Sequence, residues 1–240
     1  MPNWVTTDVT VYADTIIELE AFIENATAGY YVKKGDPNVA KELHLSVLDE
    51  QVLYKDSFSF GALTGVGDDF GHNWYSWGIA NWGTKWDVGG DASKELLMAS
   101  LKENEVNNTN THQYRISFSI ASAWSFPTPA WTTISSIFPN LIFSFSAIEE
   151  AHFFIMAAAV KNGQWEETVI DPERFWNDLT DIYKENGKDP ESEDYEDDFQ
   201  MEYQDLIYQW LENIETIEYY NARHGKTKTT IKEAHENYNK

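Results

Sequence analysis

Asn81, Trp82, Gly83, Thr84, Lys85, Trp86 and Asp87 stand in succession, with Trp74 and Trp77 just upstream. No secondary-structure propensity asks for two such rings around a glycine and a lysine, so packing or binding must account for them. Read as architecture, Asn81 pins a turn and Gly83 permits close backbone approach. Trp82 and Trp86 then fill the core, and Lys85 pairs with Asp87. Read as a site, the block is an aromatic platform where Lys85 meets an anion, suited to a nucleotide or a peptide. Trp82, Lys85, Trp86 and Trp124 would line that pocket. The sequence favours the architectural reading.

Charge is the second constraint. Lys and Arg total 17 against 40 Asp and Glu, a formal net charge of −23. Such an exterior repels nucleic acid and anionic membranes, and attracts basic patches on other proteins, including patches that bind DNA. Aromatics at 15% still supply a core, so global disorder is not expected. The absence of cysteine removes disulfides, thiolate catalysis and cysteine-ligated metal centres. Residues 1–4 lack a basic n-region and an apolar h-region, and 153–160 is too short to span a bilayer. A soluble, cytoplasmic protein is expected.

Alternation predicts strands at 5–12, 43–48, 114–120, 140–147 and 152–160. Asn162-Gly163 then marks a hairpin into 165–170. Ile16, Leu19, Phe22 and Ile23 give a helix capped by Asp14 or Thr15. Further short helices are expected at 94–101 and 131–138, with loops at 61–71 and 104–110. This order points to an α+β chain: an antiparallel sheet with helices on one face over 1–170. From 171 the character changes to an acidic helical extension, 171–240. Pro172 opens an amphipathic helix, 187–198 is acidic, and 199–220 carries Tyr203, Leu206, Ile207, Trp210, Leu211, Ile214 and Ile217 on one side. A free-standing helix does not expose such a row. A homodimer through 199–220 is preferred over an isolated tail.

The acidic residues Glu191, Glu193, Asp194, Glu196, Asp197, Asp198, Glu202 and Asp205 have two readings: a surface that imitates phosphate spacing toward a DNA-binding enzyme, or a solvated linker and a charged helix face. Taken alone, the run favours the second. The histidines show no metal-ligand spacing, and His72 near Asp68 and Asp69 is the one acid-rich neighbourhood. Gly65-Val66-Gly67 lacks the Lys-Ser/Thr of a phosphate loop, and no GxSxG elbow is present. Glu149 and Glu150 are expected at a strand edge facing water. No catalytic residue, metal or cofactor is assigned.

The opening Met1-Pro2-Asn3-Trp4, the 81–87 block, the run from Trp124 to Pro129 and Phe138-Pro139-Asn140-Leu141 occur in that order. Together they resemble the Api92-like proteins, which carry a YubB-type ferredoxin-like domain and are encoded on phages and plasmids. The resemblance covers roughly the first two thirds of the chain, with Val5 where members often carry Cys. It implies a ferredoxin-like fold and a mobile-element origin, and carries no established activity. The expectation is a non-enzymatic accessory protein, an anti-defence inhibitor that binds a basic surface of a host protein as a DNA mimic. Alternatives are a protein sequestering a small ligand or nucleotide signal at the Trp-rich surface, and an enzyme of unrecognised type.

Overall fold

A computed structural model describes residues 3–32, 51–67, 70–88, 92–103, 114–151, 155–170, 172–189, 192 and 196–224. Its elements are β1 (Trp4–Ala13), α1 (Ile16–Ala26), β2 (Tyr30–Val32), β3 (Gln51–Leu53), α2 (Phe60–Thr64), α3 (Phe70–Asn81), α4 (Lys94–Ala99) and β4 (Lys102–Glu103). They continue with β5 (Tyr114–Ala123), α5 (Thr128–Ile137), β6 (Ile142–Glu149), β7 (Ile155–Lys161), β8 (Gln164–Ile170), α6 (Pro172–Glu185) and α7 (Glu196–His224).

The chain is α+β, and its main sheet is antiparallel in the order β4-β5-β1-β6-β7-β8. β1 turns Val5, Val9 and Val11 into the core, while Thr6 and Asp8 face outward. α1 starts at Thr15, whose hydroxyl accepts the Glu18 N–H at 3.4 Å and donates to the Glu18 carboxylate at 3.0 Å. It buries Leu19, Phe22 and Ile23 against the sheet. β5 and β6 flank β1 on either side, so the crossover through α5 straddles the central strand. Asn162 and Gly163 both have positive φ, 48° and 74°, the geometry a two-residue hairpin requires between β7 and β8.

Two cores result. Phe22, Phe58, Phe60, Trp131, Phe143 and Phe145 fill the first, beneath α1 and α5. On the opposite face Ile155 and Ala157 meet Leu179, Tyr183, Phe199, Tyr203, Ile207 and Leu211 of α6 and α7. Met156, Ala158 and Val160 of the same strand join the first core, so β7 is apolar on both faces. Helices therefore cover both sides of the sheet: the segment after 171 returns over β6, β7 and β8. The described apolar row of α7 packs on the chain's own sheet, leaving Met201 and Tyr208 on its outer side.

One helix, α2, overlaps the loop expected at 61–71, and a second, α3, covers a stretch to which the sequence assigns no element. α2 forms because Ser59 caps it, accepting the Ala62 N–H at 3.2 Å, and because a distant aspartate completes its N-terminus. α3 spans 70–81 with a kink at Asn73 (φ −143°, ψ 42°). The expected strand at 43–48 and the loop at 104–110 lie outside the described residues.

Candidate functional site

The 81–87 block closes α3 and ties it to the end of β5. Asn81 Nδ2 donates back to the Trp77 carbonyl at 2.9 Å, and the Gly83 N–H bonds to the Gly78 carbonyl at 3.1 Å. Gly83 sits at φ 78°, and a Cβ there would lie 2.5 Å from Pro129 Cδ. Both facts require glycine. Thr84 binds Ala123 through its hydroxyl, and the Ser125 hydroxyl donates to the Gly83 carbonyl. Trp82 is buried among Phe60, Phe70 and Trp77, and its Nε1 donates to Thr64 Oγ1 at 3.1 Å. The architectural reading holds for Trp82 and Gly83.

Lys85 and Asp87 do not pair as expected; they turn to different partners. Asp87 accepts the backbone N–H groups of Phe60 at 2.8 Å and Gly61 at 2.9 Å, and the Tyr30 hydroxyl. A carboxylate there satisfies the free N–H groups that open α2. Burial pushes its pKa up to about 6, while the bonds from Gly61, Phe60 and Tyr30 pull it down. Burial likewise raises Tyr30, with the Asp87 charge adding to it. A Cβ on Gly61 would strike the Tyr30 ring at 2.3 Å, so the pair is packed tightly. This pair, with Tyr30 buried and Asp87 half-buried, is scaffold: it fixes α2 to the loop.

Lys85 instead enters a cluster of rings. Its Nζ lies 4.2 Å from the Trp86 centroid, 5.0 Å from Trp124 and 5.8 Å from Tyr75. Trp4 stacks on Trp86 at 5.9 Å, and Tyr75 meets Trp124 edge-on at 5.9 Å. Trp4, Tyr75 and Trp124 are 39%, 41% and 44% exposed. Trp124 holds φ at 73°, a region unfavourable for a bulky residue. Of the four residues assigned to a pocket, Lys85, Trp86 and Trp124 come together, and Trp82 belongs to the core instead. Trp86 is not a core filler as expected: it is half-buried and packs on the margin of the core, in contact with both Trp4 and Lys85. Trp4 and Tyr75 complete the cluster. Sequence reasoning missed both, and the only signal was the Trp in the opening tetrapeptide.

The acidic residues separate in a similar way. Glu191, Glu193 and Asp194 lie outside the described residues, and Glu196 begins α7. Asp197, Asp198, Glu202 and Asp205 are exposed on α7, away from its buried Phe199 and Tyr203. Asp198, Glu202 and Asp205 follow helical spacing and share one side. Glu202 accepts the Tyr183 hydroxyl at 2.9 Å, and burial with that bond raises the Tyr183 pKa. Glu149 corrects an expectation: it is 2% exposed, and its carboxylate accepts the Ala151 N–H at 2.9 Å in the turn after β6. Its strand position points inward, and the turn N–H offsets the cost of burial. Glu150 is exposed as expected.

Asp68, Asp69 and the His72 side chain lie outside the described residues. Among the described residues no group of three or more His, Asp or Glu is placed to hold a metal ion. No family model, curated protein or solved structure matches this chain. No described helix is long and apolar enough to cross a membrane.

Proposed function

We propose that this chain is a non-enzymatic accessory protein of a mobile element, acting in the host cytoplasm by binding a basic surface of a host protein. It would inhibit that protein as a DNA mimic. The observation carrying this reading is the placement of Asp197, Asp198 and Asp205. They stand exposed on a helix whose apolar side is held against the chain's own sheet. Acids fixed on a packed helix present charge at set spacing, and a net −23 draws a cationic surface toward them. The motif resemblance supports the mobile-element origin. The order β4-β5-β1-β6, with α5 crossing over β1, supports reading the core as ferredoxin-like with the β7–β8 hairpin appended.

The test is capture from host lysate on immobilised protein across a salt series. Recovery of a basic protein, released as salt screens the contact, supports the reading. Capture that ignores salt contradicts it. A second reading, a small-ligand site at Trp86 and Trp124, is favoured by their partial exposure beside Lys85. It predicts thermal stabilisation by a nucleotide, and unchanged melting across a nucleotide panel counts against it.

A further inference from the structure

The ring cluster around Lys85 has the form of an occupied cation cage. Three aromatic faces, from Tyr75, Trp86 and Trp124, converge on one ammonium group, and Trp4 stacks on Trp86. Ring faces carry the negative end of the aromatic quadrupole, so this point suits a cation. Packing does not explain the arrangement, because Trp4, Tyr75 and Trp124 remain exposed. Trp124, whose ring meets the ammonium at 5.0 Å, is moreover held at φ 73°. Backbone strain of this kind at an exposed aromatic residue is a pointer to function. The frame is firm: Thr84 is bonded to Ala123, Ser125 to the Gly83 carbonyl, and Gly83 is wedged against Pro129.

We propose that Trp4, Tyr75, Trp86 and Trp124 form a cage for an arginine or lysine side chain of the basic partner, with Lys85 as its tethered resident in the unbound protein. This rests on the binding reading above, and gives that partner a point of entry besides the acidic helix. Lys85 sits on a flexible stem at a half-open site, so on leaving it regains water at little cost. A guanidinium is flat and weakly hydrated, stacks on indole, and so competes well with an ammonium. The chain's charge of −23 favours a cationic visitor over an anionic one.

The experiment titrates the full chain with methylguanidinium chloride, following indole N–H resonances, with sodium chloride at equal ionic strength as control. Lys85→Ala empties the cage. It should show a saturable shift of the Trp86 and Trp124 resonances at about tenfold lower concentration than the parent. Lys85→Gln, which keeps a shorter polar side chain and removes the charge, should behave in the same way. Lys85→Arg retains a resident cation and should respond like the parent. Adding Trp124→Ala to Lys85→Ala should abolish saturation. A linear, sodium-like response in folded Lys85→Ala and Lys85→Gln would overturn the cage. So would saturation by a nucleotide in place of the cation. Neither result touches the acidic helix, whose role is read separately by neutralising Asp197, Asp198 and Asp205.

Discussion

Thr84 serves both backbone groups of Ala123: its hydroxyl accepts the Ala123 N–H at 3.0 Å and donates to the Ala123 carbonyl at 3.0 Å. One side chain thereby completes the end of β5, immediately before the strained Trp124. Thr84→Val keeps the shape and removes both bonds, leaving buried peptide groups unpaired. Stability should fall by about 2–4 kcal/mol in urea unfolding. A cost under about 0.5 kcal/mol would mean that water replaces the hydroxyl.

Gly83 offers a sharper backbone test. Gly83→Ala meets both a positive φ and Pro129 Cδ at 2.5 Å. The loop must then move off α5 or break its turn. Melting should drop by an amount matching about 2–3 kcal/mol, the range of a buried clash combined with backbone strain. Gly187 is the control, because it shares positive φ at the end of α6 and a Cβ added there would meet nothing within 4 Å. Gly187→Ala should cost about 1 kcal/mol, the backbone part alone.

Asp87 makes stability depend on pH in an unusual direction. Its carboxyl is pushed up to about 6 in the folded chain, from an ordinary value of 3.8. Between those values the folded state holds more protons than the unfolded state, so this group's contribution is full below pH 3.8. It declines as pH rises through 6. Subtracting the urea profile of Asp87→Asn from that of the parent isolates the effect among the many other acids. The parent should lose ~2–3 kcal/mol relative to the variant between pH 4 and pH 7. A difference that stays flat, or runs the other way, contradicts a carboxyl raised by burial.

Much of this architecture is legible in the sequence, and the failures are specific. β1, β5 and the hairpin at Asn162 and Gly163 follow from alternation and turn chemistry, which are local. α2 escaped notice because its N-terminal partner, Asp87, lies 27 residues from Phe60. Trp82 and Trp86 are the same residue type four positions apart, yet only Trp82 is buried. The turn at Gly83, with its positive φ and its seat on Pro129, comes between them, and no periodicity announces it. The amphipathic row of 199–211 is plain in the sequence; what covers it is not. One signal was available: a run as apolar as that of β7, inside an antiparallel sheet, implies cover on both faces.

The two sides of α7 should separate stability from binding. Tyr203→Ala opens the second core and should destabilise by about 3 kcal/mol. Asp197→Asn with Asp198→Asn and Asp205→Asn alters exposed groups, and should leave the melting temperature within about 2 °C. If the triple change unfolds the chain, those acids are structural.

The most direct measurement is capture of the host partner by the parent and by that folded triple variant, side by side from low to high salt. The parent should retain a basic protein at low salt and release it as salt rises, and the variant should retain several-fold less at low salt. Equal retention by both proteins, unmoved by salt, would contradict action through a fixed anionic surface.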